Sequence, residues 1–161
     1  NDIRGASQNL ETNANLRERS AAYPLELPYR LINMFSIYGD TILDPFWGTG
    51  TTSLAAIILA RNSFGFEINT EFLKVFETNI KYIKNLVREV NRRRLNTHTD
   101  FIKQFSKKNE IKYTSQTYKF PVMTSQEQNL MFYSIRSIKK HDKGYKVLHE
   151  NFDSDCEKID L

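Results

Sequence analysis

Cysteine is all but absent from this sequence, Cys156 being the only one in 161 residues. One thiol can neither close a disulfide within the chain nor furnish a cysteine-rich zinc site, so both staples are excluded. A reducing, cytoplasmic setting is the expectation. Long apolar runs are missing as well. The longest, residues 54–60, is far shorter than the ~20 residues needed to cross a bilayer. No charged and then apolar leader opens the chain, so no membrane partner is expected. The first residue is Asn1 rather than Met, which does not by itself separate a processed chain from a fragment. The three histidines, His98, His141 and His149, show no ligand spacing with cysteine or carboxylate, and no metal is expected.

What is present is the make-up of a globular chain. Hydrophobic residues are 40% and charged residues 26%, and the length suffices for a domain with its own core. Lys and Arg number 23 against 19 Asp and Glu, a net charge of +4 that permits a polyanionic partner without requiring one.

Along the chain, residues 1–20 are polar and without period, and read as an arm or the end of a linker. Leu25, Leu27, Leu31, Ile32 and Phe35 recur at the spacing of a short amphipathic helix, with Pro28 in its first turn. Tyr38-Gly39-Asp40 reads as its stop. Residues 41–46 are a short apolar run, expected to be a buried strand. Gly48-Thr49-Gly50-Thr51-Thr52 follows, then a helix over 53–61 and a second strand over 62–67 in which Phe64 and Phe66 alternate with Ser63 and Gly65. Asn69 or Thr70 can cap the next helix. Its apolar face carries Phe72, Phe76, Ile80, Ile83, Val87 and Val90, and it is expected to end near Arg94. Residues 21–95 thus form one α/β core and 96–116 a polar linker with a short helix at 100–105. Residues 117–150 form a small β-rich appendage with strands at 118–122, 130–138 and 144–149, and a hairpin turn at His141-Asp142-Lys143-Gly144. Residues 151–161 are an acidic tail.

A strand, a glycine turn and a helix make a ligand site in open α/β sheets, beyond the carboxyl ends of the strands. Gly48 and Gly50 permit tight backbone and close approach. The helix after Gly50 offers free N–H groups and a positive dipole end to an anion, and Thr49, Thr51 and Thr52 add hydroxyls. Asp44, ending the first strand, can hold an ammonium group. Glu67, ending the second, can accept from ribose hydroxyls. Together they suit a zwitterionic amino acid joined to a nucleoside. A triphosphate loop would need Lys where Thr51 stands, and the dinucleotide fingerprint would need Gly where Ser53 stands. Trp47, inside the motif, either shapes the ligand pocket or packs.

Asp44-Pro45-Phe46-Trp47-Gly48-Thr49-Gly50-Thr51-Thr52 resembles the cofactor motif of the amino-methylating DNA methyltransferases. Residues 22–32, from Ala22-Tyr23-Pro24 onward, resemble the segment that precedes this motif in the circularly permuted (beta-class) members. Residues 61–68 resemble their second strand with its ribose-binding acid. The resemblance runs from about Ser20 to Glu71 and does not extend to residues 97–161. It implies a Rossmann-like class I methyltransferase fold with a partial, mostly parallel sheet. It implies S-adenosyl-L-methionine as cofactor, held by Asp44, Phe46, Gly48, Thr49, Gly50, Thr51, Thr52 and Glu67, with Pro24 from the upstream segment, while Tyr23 either covers the cofactor or packs as a core tyrosine. It implies double-stranded DNA as substrate, methylated on N4 of cytosine or N6 of adenine with the base flipped from the duplex, and a place in restriction–modification.

One part of the family pattern is not in this sequence. Members carry Asp, Asn or Ser followed by Pro-Pro-Tyr or Pro-Pro-Phe, the loop that receives the base. Here the four prolines stand at 24, 28, 45 and 121, and none are adjacent. No catalytic residue is therefore assigned, and the loop is expected from a second polypeptide or a missing N-terminal portion. A non-catalytic regulatory subunit and an RNA or small-molecule methyltransferase are the competing readings; motif order favours DNA. Arg88, Arg92, Arg93 and Arg94 read as a solvated helix end in preference to phosphate contacts. Lys139, Lys140, Lys143 and Lys146 flank the hairpin and could touch a DNA backbone.

Overall fold

The structure, a computed structural model, describes residues 23–107 and 110–153. The arm expected over 1–20 and all but the first residues of the acidic tail lie outside the described residues. The chain divides into two compact units, Asn1–Leu86 and Val87–Leu161.

The first unit is a strand–helix–strand layer flanked by helices. Helix α1 is Glu26–Phe35, strand β1 Thr41–Asp44, helix α2 Thr51–Ile58, and strand β2 Asn62–Gly65. Strands β1 and β2 pair in parallel, Thr41 opposite Asn62 through Asp44 opposite Gly65. The fold is thus α/β with the expected parallel pair. Helix α2 packs against α1, β1 and β2, and every residue from Ser53 to Leu59 is buried. A short helix apolar on all sides belongs inside a core, and Ala55 and Ala56 let its neighbours approach closely. Both ends of α2 are left-handed. Gly50 precedes it at φ +76°, and Ala60 follows it at φ +55°. The Arg61 amide donates to the Ala56 carbonyl at 2.8 Å and the Ala60 amide to Ile57 at 3.2 Å, the paired bonds of a Schellman ending with alanine in the place usually given to glycine. The buried Arg61 then ties the turn to the end of α1: its guanidinium donates to the Ser36 carbonyl at 2.8 Å and lies 4.7 Å from the centre of the Tyr38 ring.

The expectation of a buried first strand is corrected. Leu43 is 61% exposed, and Phe64 and Phe66 are each 58% exposed. The parallel register puts Leu43 beside Phe64 on one face, and Ile42, Ser63, Asp44 and Gly65 on the other. Helix α2 covers the second face, as the 2.9 Å contact between Ser63 Oγ and Ser53 Oγ shows. Among the described residues nothing covers the first, so apolar side chains that read as core stand at the surface.

Helix α3, Glu71–Phe105, is 35 residues long and does not stop near Arg94. The Asn69 side chain begins it, accepting from the Glu71 amide at 3.0 Å. Its buried stripe, Phe72, Val75, Phe76, Ile80, Ile83 and Val87, continues past the arginines through Leu95 and Ile102, so the same face keeps a reason to remain helical. Arg88, Arg92 and Arg93 are exposed side chains in mid-helix rather than complements to a helix end, and the Arg94 guanidinium covers the Phe132 ring at 4.5 Å.

In the second unit, strand β3 (Tyr113–Thr114) pairs antiparallel with β4 (Pro121–Val122), and β5 (Tyr133–His141) with β6 (Gly144–Asn151). A short 3-10 helix at Ser125–Asn129 carries a capping box between Thr124 and Glu127. The strand expected from Tyr118 begins only at Pro121, because Lys119 adopts φ +58°. Leu95, Tyr118, Phe120, Val122, Phe132 and Phe152 form the core of this unit. The Tyr118 hydroxyl pins it, accepting from the Phe132 amide at 2.9 Å and donating to the Phe152 carbonyl at 3.3 Å.

Candidate functional site

The carboxyl ends of β1 and β2 and the N-terminus of α2 converge on one turn. The Phe66 amide donates to the Asp44 carbonyl at 3.1 Å, and the Trp47 amide to the Phe66 carbonyl at 3.0 Å. These bonds carry the parallel pairing one step past the strands and fix where the chain leaves β1. Asp44 turns the backbone by accepting from the Phe46 amide at 3.1 Å through Oδ1. Its other oxygen, Oδ2, is buried and has no hydrogen-bond partner among the described residues. A buried carboxylate oxygen without a donor is costly, and this atom keeps its capacity to accept from a cation or an N–H group.

Trp47 is the keystone of the turn. Its indole N–H donates to Ser53 Oγ at 2.7 Å, and its ring lies 4.8 Å from that of Phe76. A Cβ built on Gly65 would overlap the indole, and one on Gly50 would stand 2.7 Å from Trp47 Cζ2. Both glycines are where they are because the indole occupies the space. The packing role is therefore the one the structure supports for Trp47. Gly48 differs: it is left-handed at φ +52°, and a Cβ there would meet only the Phe46 carbonyl oxygen, at an unstrained 4.0 Å, so glycine is a requirement of the turn rather than of packing.

Glu67 reaches back to the same turn. Its Oε2 accepts from the Gly48 amide at 2.8 Å and its Oε1 from the Asn69 amide at 2.8 Å. A carboxylate has about four acceptor sites, so two remain for a ligand while the backbone holds the side chain in place. Helix α2 begins with no side-chain cap, leaving its first-turn N–H groups and dipole to the turn. Thr49 and Thr51 hydroxyls are 3.2 Å apart. Thr52 Oγ1 lies 2.6 Å from the Tyr23 hydroxyl, which brings the segment before α1 to the start of α2. Burial pushes the Tyr23 phenol above its ordinary pKa, the Thr52 hydrogen bond pulls it back, and the neighbouring Asp44 charge raises it further. Tyr23 is thus a neutral hydroxyl at ordinary pH. Pro24 is half-buried beside it, and Phe46 is 89% exposed.

The sequence-designated residues Asp44, Phe46, Gly48, Thr49, Gly50, Thr51, Thr52 and Glu67 thus meet at one turn, with Tyr23 joined to it through Thr52. The residues that sequence reasoning missed are those beneath it: Ser53, Ser63 and Phe76, which seat the indole. Their only signal was small size or apolarity at helical spacing. Among the described residues no group of three or more His, Cys, Asp or Glu could hold a metal, and no helix is long and apolar enough to cross a membrane.

The turn sets Asp44 at the end of β1 and Glu67 just past the end of β2 on either side of an uncapped helix start, so carboxylate acceptors and helix N–H donors face one place. The family model described as DNA methylase matches residues 3–78, the stretch that holds α1, β1, α2 and β2. Type II methyltransferase M.MthZI of Methanothermobacter thermautotrophicus is 50% identical over 139 residues, covering 86% of this chain and 38% of that protein. Type II methyltransferase M.MjaI of Methanocaldococcus jannaschii is 53% identical over 70 residues, 44% of this chain and 23% of that protein. Among solved structures, a putative DNA modification methylase of Thermus thermophilus complexed with S-adenosyl-L-methionine matches at 30% identity and a TM-score of 0.38, over 50% of this chain and 39% of that one. In each case the chain spans well under half of the relative's length.

Proposed function

We propose that this chain is the S-adenosyl-L-methionine-binding portion of a site-specific DNA methyltransferase acting on N4 of cytosine or N6 of adenine. The observation that carries the reading is the buried, unpartnered Oδ2 of Asp44 beside the uncapped start of α2. That pairing suits an ammonium and a carboxylate on one small ligand, and the remaining acceptor sites of Glu67 suit ribose hydroxyls. When bound, the cofactor supplies a methyl group on a sulfonium centre. The chain's own residues bind and orient it: Asp44 takes the ammonium, the first turn of α2 takes the carboxylate, and Glu67 takes the ribose. Tyr23 and Pro24 close the side toward α1, and exposed Phe46 offers an apolar ring. Catalysis here is positioning, with the acceptor amine brought in line with the methyl group.

The loop that receives the base comes from a protein segment outside this sequence, and the isolated chain does not methylate DNA. Two facts support that. The matched stretch is only 38% of M.MthZI and 23% of M.MjaI, and the outer face of the β1–β2 sheet presents Leu43, Phe64 and Phe66 bare among the described residues. We assign that face to the segment bearing the loop, which would cover it as helices cover the faces of a Rossmann-like sheet. A restriction–modification role is part of the same proposal, supported by the likeness to Type II methyltransferases.

Calorimetric titration of S-adenosylmethionine into the chain tests the reading, with Asp44→Ala as the comparison. Loss of a charged hydrogen bond of about 1.5–3 kcal/mol predicts affinity weakened roughly tenfold or more. Equal binding by Asp44→Ala, or no binding by the unaltered chain, overturns it.

A further inference from the structure

The net charge of +4 is not shared between the two units. Residues 1–86 carry 8 Lys and Arg against 9 Asp and Glu, whereas residues 87–161 carry 15 against 10. The second unit therefore holds an excess of five positive charges and the first a deficit of one.

Part of that excess is arranged against the stability of the unit that holds it. Strands β5 and β6 form a two-stranded ribbon closed by Asp142 and Lys143, with His141 opposite Gly144. The register sets Lys139 directly opposite Lys146 and Lys140 opposite Tyr145. Alternation then places Lys139, Lys146 and His141 on one face of the ribbon and Lys140 on the other. Directly opposed residues have Cβ atoms about 5 Å apart, and like charges so placed repel. Glu150, the one carboxylate of β6, lies on the same face but two alternate positions from Lys146. Lys139, Lys143 and Lys146 are all exposed.

We propose that the β5–β6 ribbon grips the phosphate backbone of a DNA duplex, with Lys139 and Lys146 as its paired contacts and Lys143 at the tip. A phosphate between the two ammonium groups turns their mutual repulsion into shared attraction. A two-stranded ribbon is of a size that the major groove admits. Contacts of this kind hold the duplex in register without reading its bases, so binding through the ribbon is indifferent to sequence. The choice of DNA over other polyanions rests on the methyltransferase reading; the assignment of the three lysines does not.

The test is fluorescence anisotropy of a labelled duplex of arbitrary sequence, titrated with the whole chain over a range of KCl concentrations. Lys139→Gln with Lys146→Gln should reduce the slope of log affinity against log salt by about 2, each phosphate contact contributing ~0.9. Lys103→Gln with Lys107→Gln, in and just past the last turn of α3, should leave it unchanged. Lys146→Glu places opposite charges across the strand pair. It should raise the thermal midpoint while weakening DNA binding at least tenfold, a combination that misfolding cannot produce. An unchanged slope in the ribbon variant, an equal loss in the α3 variant, or no duplex binding by the unaltered chain overturns the proposal. Tighter binding of an RNA duplex through the same lysines overturns DNA as the occupant. A chain that binds DNA through these lysines but binds no S-adenosylmethionine refutes the methyltransferase reading and leaves this one standing. Cofactor binding with a salt slope indifferent to the ribbon does the reverse.

Discussion

At Gly65 one added methyl group would overlap Trp47, and at Gly50 it would meet both Trp47 and Phe76. Gly65→Ala and Gly50→Ala should each cost about 1–3 kcal/mol through overpacking, Gly50→Ala more because its φ is positive. Gly48→Ala has room around it and should cost only the left-handed penalty of about 1–2 kcal/mol. Urea denaturation of the three variants checks the order, and an equal loss at all three would remove Trp47 from its keystone role. Tyr23 supplies a pH prediction. A phenol whose folded pKa is raised lends stability that is complete below its unfolded value of 10.0 and is lost as pH climbs through the raised one. Unfolding measured at about pH 9 and about pH 11 should show a smaller alkaline loss in Tyr23→Phe than in the unaltered chain. At this scale the sequence was informative where chemistry is local. Asp44, the glycines and Glu67 stand at or just past the ends of short strands, and that placement was readable from the sequence. The seating of Trp47 was not legible, since it depends on Gly65 and Phe76, far along the chain, and side-chain contacts at that separation leave no periodic trace.

Among the elements, α2 ends on a strained residue. Ala60 at φ +55° stands where a glycine would be at ease, and Ala60→Gly should stabilise the chain by up to about 1 kcal/mol, the relief of left-handed strain less the entropy that glycine loses on folding. A lower urea midpoint would show that the Ala60 methyl group packs more than it strains. The strand–turn–helix–strand order of the first unit and the hairpin turn of the second were both readable, because glycine turns and alternation are short-range signals. The length of α3 was not, because three arginines in a row looked like a terminus while Leu95 and Ile102 continued the buried stripe beyond them. Leu95 is 1% exposed at the centre of the second unit's core. Leu95→Ala should cost roughly 2–5 kcal/mol, read by chemical denaturation, and a loss below that range would mean the core can close over the gap.

For the whole molecule, two surfaces differ in kind: an apolar sheet face on the first unit and an excess of positive charge on the second. The apolar face is the larger departure from ordinary soluble surfaces, and it is what made a strand that read as buried stand exposed. Phe64→Ser with Phe66→Ser should leave the thermal midpoint nearly unchanged and reduce self-association in light scattering; a large fall in midpoint would show instead that these rings belong to the chain's own core. Trp47 also has a consequence for the molecule as an optical object. It is the single tryptophan of the chain, so the entire long-wavelength emission originates at the turn between Asp44 and α2. A change in the polarity or rigidity of that turn will therefore appear as a spectral shift with no competing background. The site carries its own intrinsic reporter, and ligands can be screened against it without a label.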